Sequence, residues 1–508
     1  MFRSSPNHMR FRTIFHFISL VLLTVILSVS AVSASTDGYV PPLPVLGDAA
    51  EPTVLGADAL ANTVEVTRRN RTYQALPLLD VVEQVQPLTE LFSVFLIADD
   101  LAAQVDGDRL DQSYIAFSSE YGWEAVHLLH PASANIKRLE RIIIVGETDQ
   151  HGFGIHTISQ TQNLASTSPG ALQLDGFSLN YRREGAASLL HEDGEYISTV
   201  YSPQKIVSRE TLLNQIDSVP AQVGMVVGEK GELRDLGEGH FTVSAAALEF
   251  RDAEGRIMIP DVAGLVLDPP ERRITDAYHD ALQFLEAGRA VLLVILDGFG
   301  YHQYEYAVAH GHAPFLASQS APERAMAVYQ PVTNAGISAI LTGTTPEHNG
   351  VYSRRQRMPE APDVFAGAAA MAKKSLYLAG DRQIVATSLE PRFHFDTTGS
   401  GSSDDDIVLA ALDVMAGAEI PDLLVLHIKD LDRAGHNYGD LDGRTMEKVA
   451  EADEYLRKLS NAWQGRIIVT VDHGMHSTDH GGSHGVLCYE DVFVPYWIME
   501  GERSYETQ

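Results

Sequence analysis

The chain has 508 residues, 45% of them apolar and 21% charged, which suits about two to four folded domains and excludes wholesale disorder. Acids outnumber bases 68 to 37, for a formal charge of −31. Duplex nucleic-acid binding, which needs clustered Lys and Arg, is therefore not expected. One cysteine, Cys488, excludes an intramolecular disulfide framework and a cysteine-rich zinc site, and twenty histidines direct attention to His/Asp metal chemistry.

At the N-terminus, Arg3, Arg10 and Arg12 precede a mostly apolar run over 14–29, followed by small residues at 30–34. This is the pattern of a secretory signal, and the run is shorter than the ~20 residues of a spanning helix. Residues 1–34 are read as a signal peptide, with an uncleaved membrane anchor as the alternative. The mature protein is expected outside the cytoplasm, whether secreted, periplasmic or membrane-anchored. From about 37 to 270, short β-type runs such as 91–97, 141–145, 241–250 and 257–267 are separated by turn residues. They predict a β-rich or α+β domain of unknown role. Pro269-Pro270 ends it, and 276–287 reads as a helix leading into the next unit.

From 289 onward the pattern changes. Runs at 291–296, 423–428 (broken only by His427) and 467–471 are nearly continuously apolar, as parallel strands buried on both faces require. Helical stretches at 406–416 and 445–462 lie between them, the second with Met446, Val449, Leu456 and Leu459 on one stripe. The tract 399–403 followed by Asp404, Asp405 and Asp406 reads as an exposed loop entering a helix, with acids favoured at its N-terminus. Alternating strands and helices imply an α/β sheet. Ligands collect at the carboxyl ends of strands in such sheets, and here each run leads into Asp or His residues.

Each of these residues also has a bland reading. Asp297, in Leu-Asp-Gly-Phe-Gly, is a metal ligand or a turn cap. Asp432 and His436 are four apart, so one helical turn can aim both inward, or they are a solvated pair. Asp472-His473-Gly474 directly after a buried strand is more specific. His480 and His484 flank Gly481-Gly482-Ser483, and either is a ligand or a surface histidine. Their joint occurrence at one sheet edge points to a metal centre.

Taken together, Asp297, Thr333, Asp432-x-x-Gly-His436, Asp472-His473-Gly and Gly-Gly-Ser-His484-Gly resemble the motifs of the alkaline phosphatase superfamily. The resemblance is closest to the type I phosphodiesterase/nucleotide pyrophosphatase branch, which also contains phosphonoacetate hydrolase and threonine-dependent phosphatases. Thr333, Thr342-Gly343, Pro346 and Gly350 stand at the offsets of the family's nucleophile segment, and His436-Asn437-Tyr438-Gly439 matches its Gly-His-x-Tyr-Gly signature. The resemblance runs from 289 to the C-terminus and does not reach 37–270.

The resemblance implies an alkaline-phosphatase-like α/β sheet sandwiched by helices over 289–508. It implies two divalent ions, zinc first, with manganese or iron as alternatives. Asp432, His436 and His484 would hold one; Asp297, Asp472 and His473 the other, beside Thr333. Thr333 would ligate metal and attack phosphorus, forming a phosphothreonine, and its bland reading is a helix N-cap. His484 follows His473 by only eleven positions, where much of the diesterase branch has a long insertion, and His480 is its rival. His476 is expected nearby without binding metal. Asn334, Arg354 and Arg382 are expected at the substrate. Arg354, in the run Ser353-Arg-Arg-Gln-Arg357, replaces an Asn that the diesterase branch places there. Asp381-Arg382 resembles an element of the threonine-dependent monoesterases, but Gly380 stands where they carry Lys. The implied activity is hydrolysis of a small-molecule phosphate ester, with monoester, diester and phosphonate cleavage as competing readings. A binding module with a decayed catalytic domain is the alternative from another class.

Overall fold

The computed structural model describes residues 39–175, 177–191, 194–213 and 224–502. The segment read as a signal peptide or anchor lies outside them. Among the described residues no helix is long and apolar enough to cross a membrane. The described residues from Pro41 onward form one compact unit.

Residues 43–267 build four sheets, three of five strands and one of four, so this half is β-rich as expected. Leu43–Gly47 and Phe92–Ala98 bury alternate residues, the period-two pattern of strands with one face on a core. The runs at 241–250 and 257–267 are each two strands. Ser244 Oγ accepts from the Ala247 amide at 3.2 Å, closing a turn between His240–Val243 and Leu248–Arg251, which pair with Phe241 opposite Phe250. Pro260, which has no amide to donate, separates Ile257–Ile259 from Val262–Leu267, and the two belong to different sheets. The longest pairing, Phe177–His191 with Gly194–Val207, was not anticipated.

Residues 291–500 build a seven-stranded sheet. Its order from edge to edge is Glu323–Met326, Phe493–Glu500, Arg466–Val471, Val291–Leu296, Leu423–Ile428, Ser375–Ala379 and Arg392–Phe393. The last five are parallel, and the first two form an antiparallel edge. Val291–Leu296 lies at the centre with no side chain more than 1% exposed, and each such burial contributes about 1.5–3 kcal/mol. Helices Asp276–Glu286, Thr333–Thr342, Asp404–Ala416 and Gly443–Ala462 bury their apolar faces in the core around it. Leu296 pairs with both Ile428 and Val471. That register ends three adjacent strands at one level and brings the residues that follow them together.

The acids at 404–406 stand in the first turn of helix Asp404–Ala416, as expected, but one of them does more. Asp404 is buried, and its Oδ2 accepts from the amides of Lys429 and Asp430 at 2.9 and 2.8 Å. It therefore satisfies the start of the neighbouring helix Asp430–Tyr438 instead of lying in solvent. The β-rich half packs directly on the seven-stranded sheet: Ile158, Met225, Val227 and Val266 share an apolar cluster with Met326, Leu487, Val492 and Phe493.

Candidate active site

Asp297 follows the central strand, and its amide donates to the Ile428 carbonyl at 2.9 Å. Asp472 follows the adjacent strand and is fully buried; its Oδ1 accepts from the amides of Gly298 and His473 at 3.2 and 2.9 Å. Asp432 and His436 lie one turn apart on Asp430–Tyr438, with His436 Nε2 3.4 Å from Asp432 Oδ1. His484 follows the short strand Gly481–Ser483, and its Nε2 is 3.5 Å from the same oxygen. Gly298, at φ +71°, permits this approach: a Cβ there would stand 2.9 Å from that of Asp432.

Asp297, Asp472 and His473 offer ligand atoms all within 4.8 Å of one another, and so do Asp432, His473 and His484. The imidazoles share one orientation. Nδ1 of His473 lies 2.9 Å from the Gly474 carbonyl, Nδ1 of His436 is 3.0 Å from that of Gly482, and Nδ1 of His484 is 2.9 Å from that of Pro331. A carbonyl only accepts, so each Nδ1 carries a proton and each Nε2 faces the acids, the arrangement typical of metal-ligating histidine. Against the lowering effect of burial, Asp472 and Asp297 push His473 up to about 10, so its Nε2 also holds a proton that a cation would replace. Facing them, Asp297 Oδ1, Asp432 Oδ1 and Asp472 Oδ2 are buried with no hydrogen-bond partner among the described residues. Burial and the charge of Asp297 push Asp432 up to about 6 and Asp472 well above the usual carboxylate range. Burial and the neighbouring His473 hold His484 down at about 2, hence neutral. Partnerless carboxylate oxygens that repel one another beside imidazole nitrogens are the donor set a divalent cation satisfies.

Thr333 is the first residue of helix Thr333–Thr342, and Val332 occupies the N-cap. Its hydroxyl makes no cap and lies 3.1 Å from His473 Nε2. The helix packs against the strand end at Gly336, where a Cβ would stand 2.7 Å from Asp472 Cβ. Asp297, Thr333, Asp432, His436 and His484 line one side of a cavity of about 670 Å³; Arg354, Arg357, Arg382, Lys429 and Arg433, with the acids Asp381, Asp396 and Asp430, line much of the rest.

Not every predicted substrate residue is placed as expected. Asn334 is buried and spends its amide group on the carbonyls of Arg354 and Gln356, at 3.2 and 2.8 Å. It holds the arginine loop in addition to lining the cavity. Arg354 donates to His484 Nε2 at 3.0 Å, so it faces the site. Arg382 is exposed at the rim, with no ion pair or hydrogen bond among the described residues. His480 is exposed on a turn outside the cluster, and His476 is buried with its Nδ1 2.8 Å from Asp491.

Three supporting residues escaped the sequence reading. His427, 1% exposed, places Nε2 3.0 Å from Asp297 Oδ2 and so turns the other oxygen toward His473; its signal was the one polar break in an apolar strand. Lys429, 2.6 Å from Asp381, puts Nζ 2.5 Å from where a Cβ at position 380 would stand. An ammonium from the next strand thus fills the space beside Gly380. Asp491, fully buried, accepts from the amides of Gly485 and Val486 at 2.9 and 3.1 Å and so fixes the backbone just after His484.

Comparison with known proteins gives partial matches. A human protein, GPI ethanolamine phosphate transferase 2, catalytic subunit, is 28% identical over 206 residues, covering 37% of this chain and 20% of its own length. GPI ethanolamine phosphate transferase 3 of Eremothecium gossypii is 32% identical over 79 residues, covering 15% and 8%. The chain thus spans at most a fifth of these relatives. Among solved structures, murine ectonucleotide pyrophosphatase/phosphodiesterase 5 is 20% identical with a TM-score of 0.32, over 38% of this chain and 58% of that one. A phosphonoacetate hydrolase from Sinorhizobium meliloti 1021 is 18% identical with a TM-score of 0.29, over 37% and 56%. Residues 364–496 match the model of the type I phosphodiesterase / nucleotide pyrophosphatase family, so the C-terminal part of this chain is similar to that family.

Proposed function

We propose that this protein is an exported, metal-dependent hydrolase of phosphate esters that acts through a phosphothreonine at Thr333. The observation that carries the reading is the position of the Thr333 hydroxyl, 3.1 Å from His473 Nε2, beside carboxylate oxygens that lack partners among the described residues. Two divalent cations, zinc first and manganese or iron as alternatives, would be held by Asp432, His436 and His484 and by Asp297, Asp472, His473 and Thr333. When bound they supply Lewis acidity to the phosphoryl oxygens and ionise the threonine hydroxyl.

Thr333 Oγ1 attacks phosphorus in line with the ester oxygen. The Oγ1–P bond forms as the ester P–O bond breaks, and the departing oxygen takes a proton from solvent. Water then cleaves the phosphothreonine, returning the hydroxyl and releasing phosphate. Arg354 and Arg382 contribute fixed positive charge to the substrate cavity, and guanidinium groups bind phosphate oxygens in pairs. Arg354 and Lys429 together favour a dianionic monoester over a diester.

The relatives named as ethanolamine phosphate transferases favour a second reading, in which an alcohol instead of water resolves the covalent intermediate. Acid-quenched enzyme mixed with nitrophenyl monoester, diester or phosphonate should carry phosphate (or the matching ester) on the peptide containing Thr333. Partition between water and an added alcohol separates the two readings. No adduct and no turnover across the panel, in protein loaded with zinc, manganese or iron, would overturn both.

A further inference from the structure

We propose that His151, Cys488 and Glu490 form a third cation site, separate from the active site, that takes a borderline-soft divalent ion such as zinc. Their ligand atoms lie within 4.8 Å of one another, and none of the three lines the substrate cavity. His151 comes from the β-rich half, in the turn region after Leu139–Gly146. Cys488 and Glu490 flank Tyr489 at the start of the short helix Tyr489–Val492.

The spacing is that of a ligand shell. His151 Nε2 lies 3.3 Å from Glu490 Oε1 as a hydrogen bond, with Asn163 Nδ2 3.4 Å from the same nitrogen, and bonds of about 2.0–2.1 Å to a tetrahedral ion would place His151 and Glu490 roughly that far apart. The active-site pairs repeat it: 3.3 Å for Asp297 with His473, 3.4 Å for Asp432 with His436, and 3.5 Å for Asp432 with His484. Imidazole, thiolate and carboxylate together are a zinc-type donor set.

The groups around the three residues hold them in place. Asn163 donates to the other Glu490 oxygen at 3.0 Å and accepts from the Tyr489 amide at 2.9 Å. The His476 ring stacks on His151, with centroids 4.5 Å apart and planes 6° apart. Parallel rings cannot both aim a nitrogen at one ion, and His476 is already committed: its Nδ1 is 2.8 Å from Asp491, a hydrogen-bond length. Asp491 in turn spends its second oxygen on Gly485 and Val486. The His476–Asp491 pair is therefore the support, and His151, Cys488 and Glu490 are the donors.

A buried cysteine is often only a small apolar side chain. This one is completely buried but touches polar groups, with Sγ 3.8 Å from His476 Nδ1. A cysteine holds a cation as its thiolate. Binding then forms the metal–sulfur bond and releases one proton to solvent. The His151 side chain is 33% exposed, which gives the ion a route in and leaves water as a fourth ligand. An ion here would tie the β-rich half to the segment whose Asp491 fixes the backbone after His484.

Cobalt(II) tests this directly in the full chain. The proposed two-ion centre contains no sulfur and the chain has one cysteine, so a thiolate-to-cobalt charge-transfer band can come only from Cys488. The wild type should show that band at cobalt saturation, together with ligand-field bands. Cys488→Ser should lose the charge-transfer band alone. His151→Gln should weaken cobalt binding at this site by about tenfold or more, and it decides the matter if the serine variant fails to fold. A cobalt-saturated wild type with ligand-field bands but no thiolate band would overturn the proposal, as would an unchanged band titration in His151→Gln.

Discussion

Gly336→Ala sets two effects of known sign against each other. Within a helix, Ala is favoured over Gly by about 0.8–1 kcal/mol, so propensity alone predicts a more stable protein. The structure predicts otherwise, because the new Cβ would stand 2.7 Å from Asp472 Cβ and 2.8 Å from its carbonyl carbon. Ordinary contact begins at 3.4 Å, and the Asp472 carbonyl oxygen stands nearer still, so helix and strand end must part by at least about 0.7 Å at the position that sets Thr333 against the candidate metal ligands. Overpacking of this kind costs about 1–3 kcal/mol, leaving a net loss of roughly 0–2 kcal/mol after the propensity gain. The kinetic effect should be larger, since misplacing a reacting group by ~1 Å can cost about a hundredfold. The expected outcome is a folded protein with slightly lower unfolding free energy in urea and kcat/KM down by between tenfold and a hundredfold. Higher stability with unchanged kcat/KM would show that the helix does not bear on Asp472 as described.

Further outcomes follow from the same geometry. Asp472→Asn or His436→Ala should lower metal content and activity together, with partial recovery in excess zinc; unchanged stoichiometry by elemental analysis would remove both residues from the ligand set. Thr333→Ala should keep its metal content largely intact and lose turnover, and a near-native kcat would exclude it as nucleophile. Arg354→Asn should lose tenfold to a hundredfold more monoesterase than diesterase kcat/KM, the worth of one charge-assisted hydrogen bond of about 1.5–3 kcal/mol. Glu229 supplies a pH test. Burial and the charge of Asp261 push it up to about 7, against the lowering contact with Tyr329. Its proton is held more tightly in the folded state, so the associated stability is complete below about pH 4.5 and is lost as the pH rises through 7. The loss is up to about 3 kcal/mol. Urea unfolding at pH 5 and pH 8 should show that loss in the wild type and a flatter profile in Glu229→Gln.

The sheet that carries the site was legible because a strand buried on both faces has to be apolar throughout, so 291–296, 423–428 and 467–471 declare themselves in one dimension. The candidate ligands Asp297, Asp472 and His473 were legible because they follow those runs directly, and Asp432, His436 and His484 because they stand in short Asp/His/Gly motifs. What supports them was not. Asp404 reads locally as a helix start, and only the fold brings it to the amides of Lys429 and Asp430. Lys429 beside Gly380 depends on the parallel pairing of Leu423–Ile428 with Ser375–Ala379, which no local pattern encodes. The same holds in the β-rich half, where Val45 pairs with Ile142 across nearly a hundred residues. Asn334 was legible as a neighbour of the nucleophile, but its work on the 354–356 loop was not.

The shared register of the three strand ends works as a caliper, and it sets where the chain can change in length. One residue added within Val291–Leu296 would shift Asp297 by about 3.3 Å and turn alternate side chains to the opposite face. Such a shift moves a candidate ligand by as much as the whole 3.3 Å spacing between Asp297 Oδ1 and His473 Nε2. The same insertion among the exposed residues 399–401 would lengthen a loop at a cost of well under about 0.6 kcal/mol. Length differences among natural versions of this protein are therefore expected to gather in loops such as that one, and to be absent between the start of each central strand and the acid that follows it.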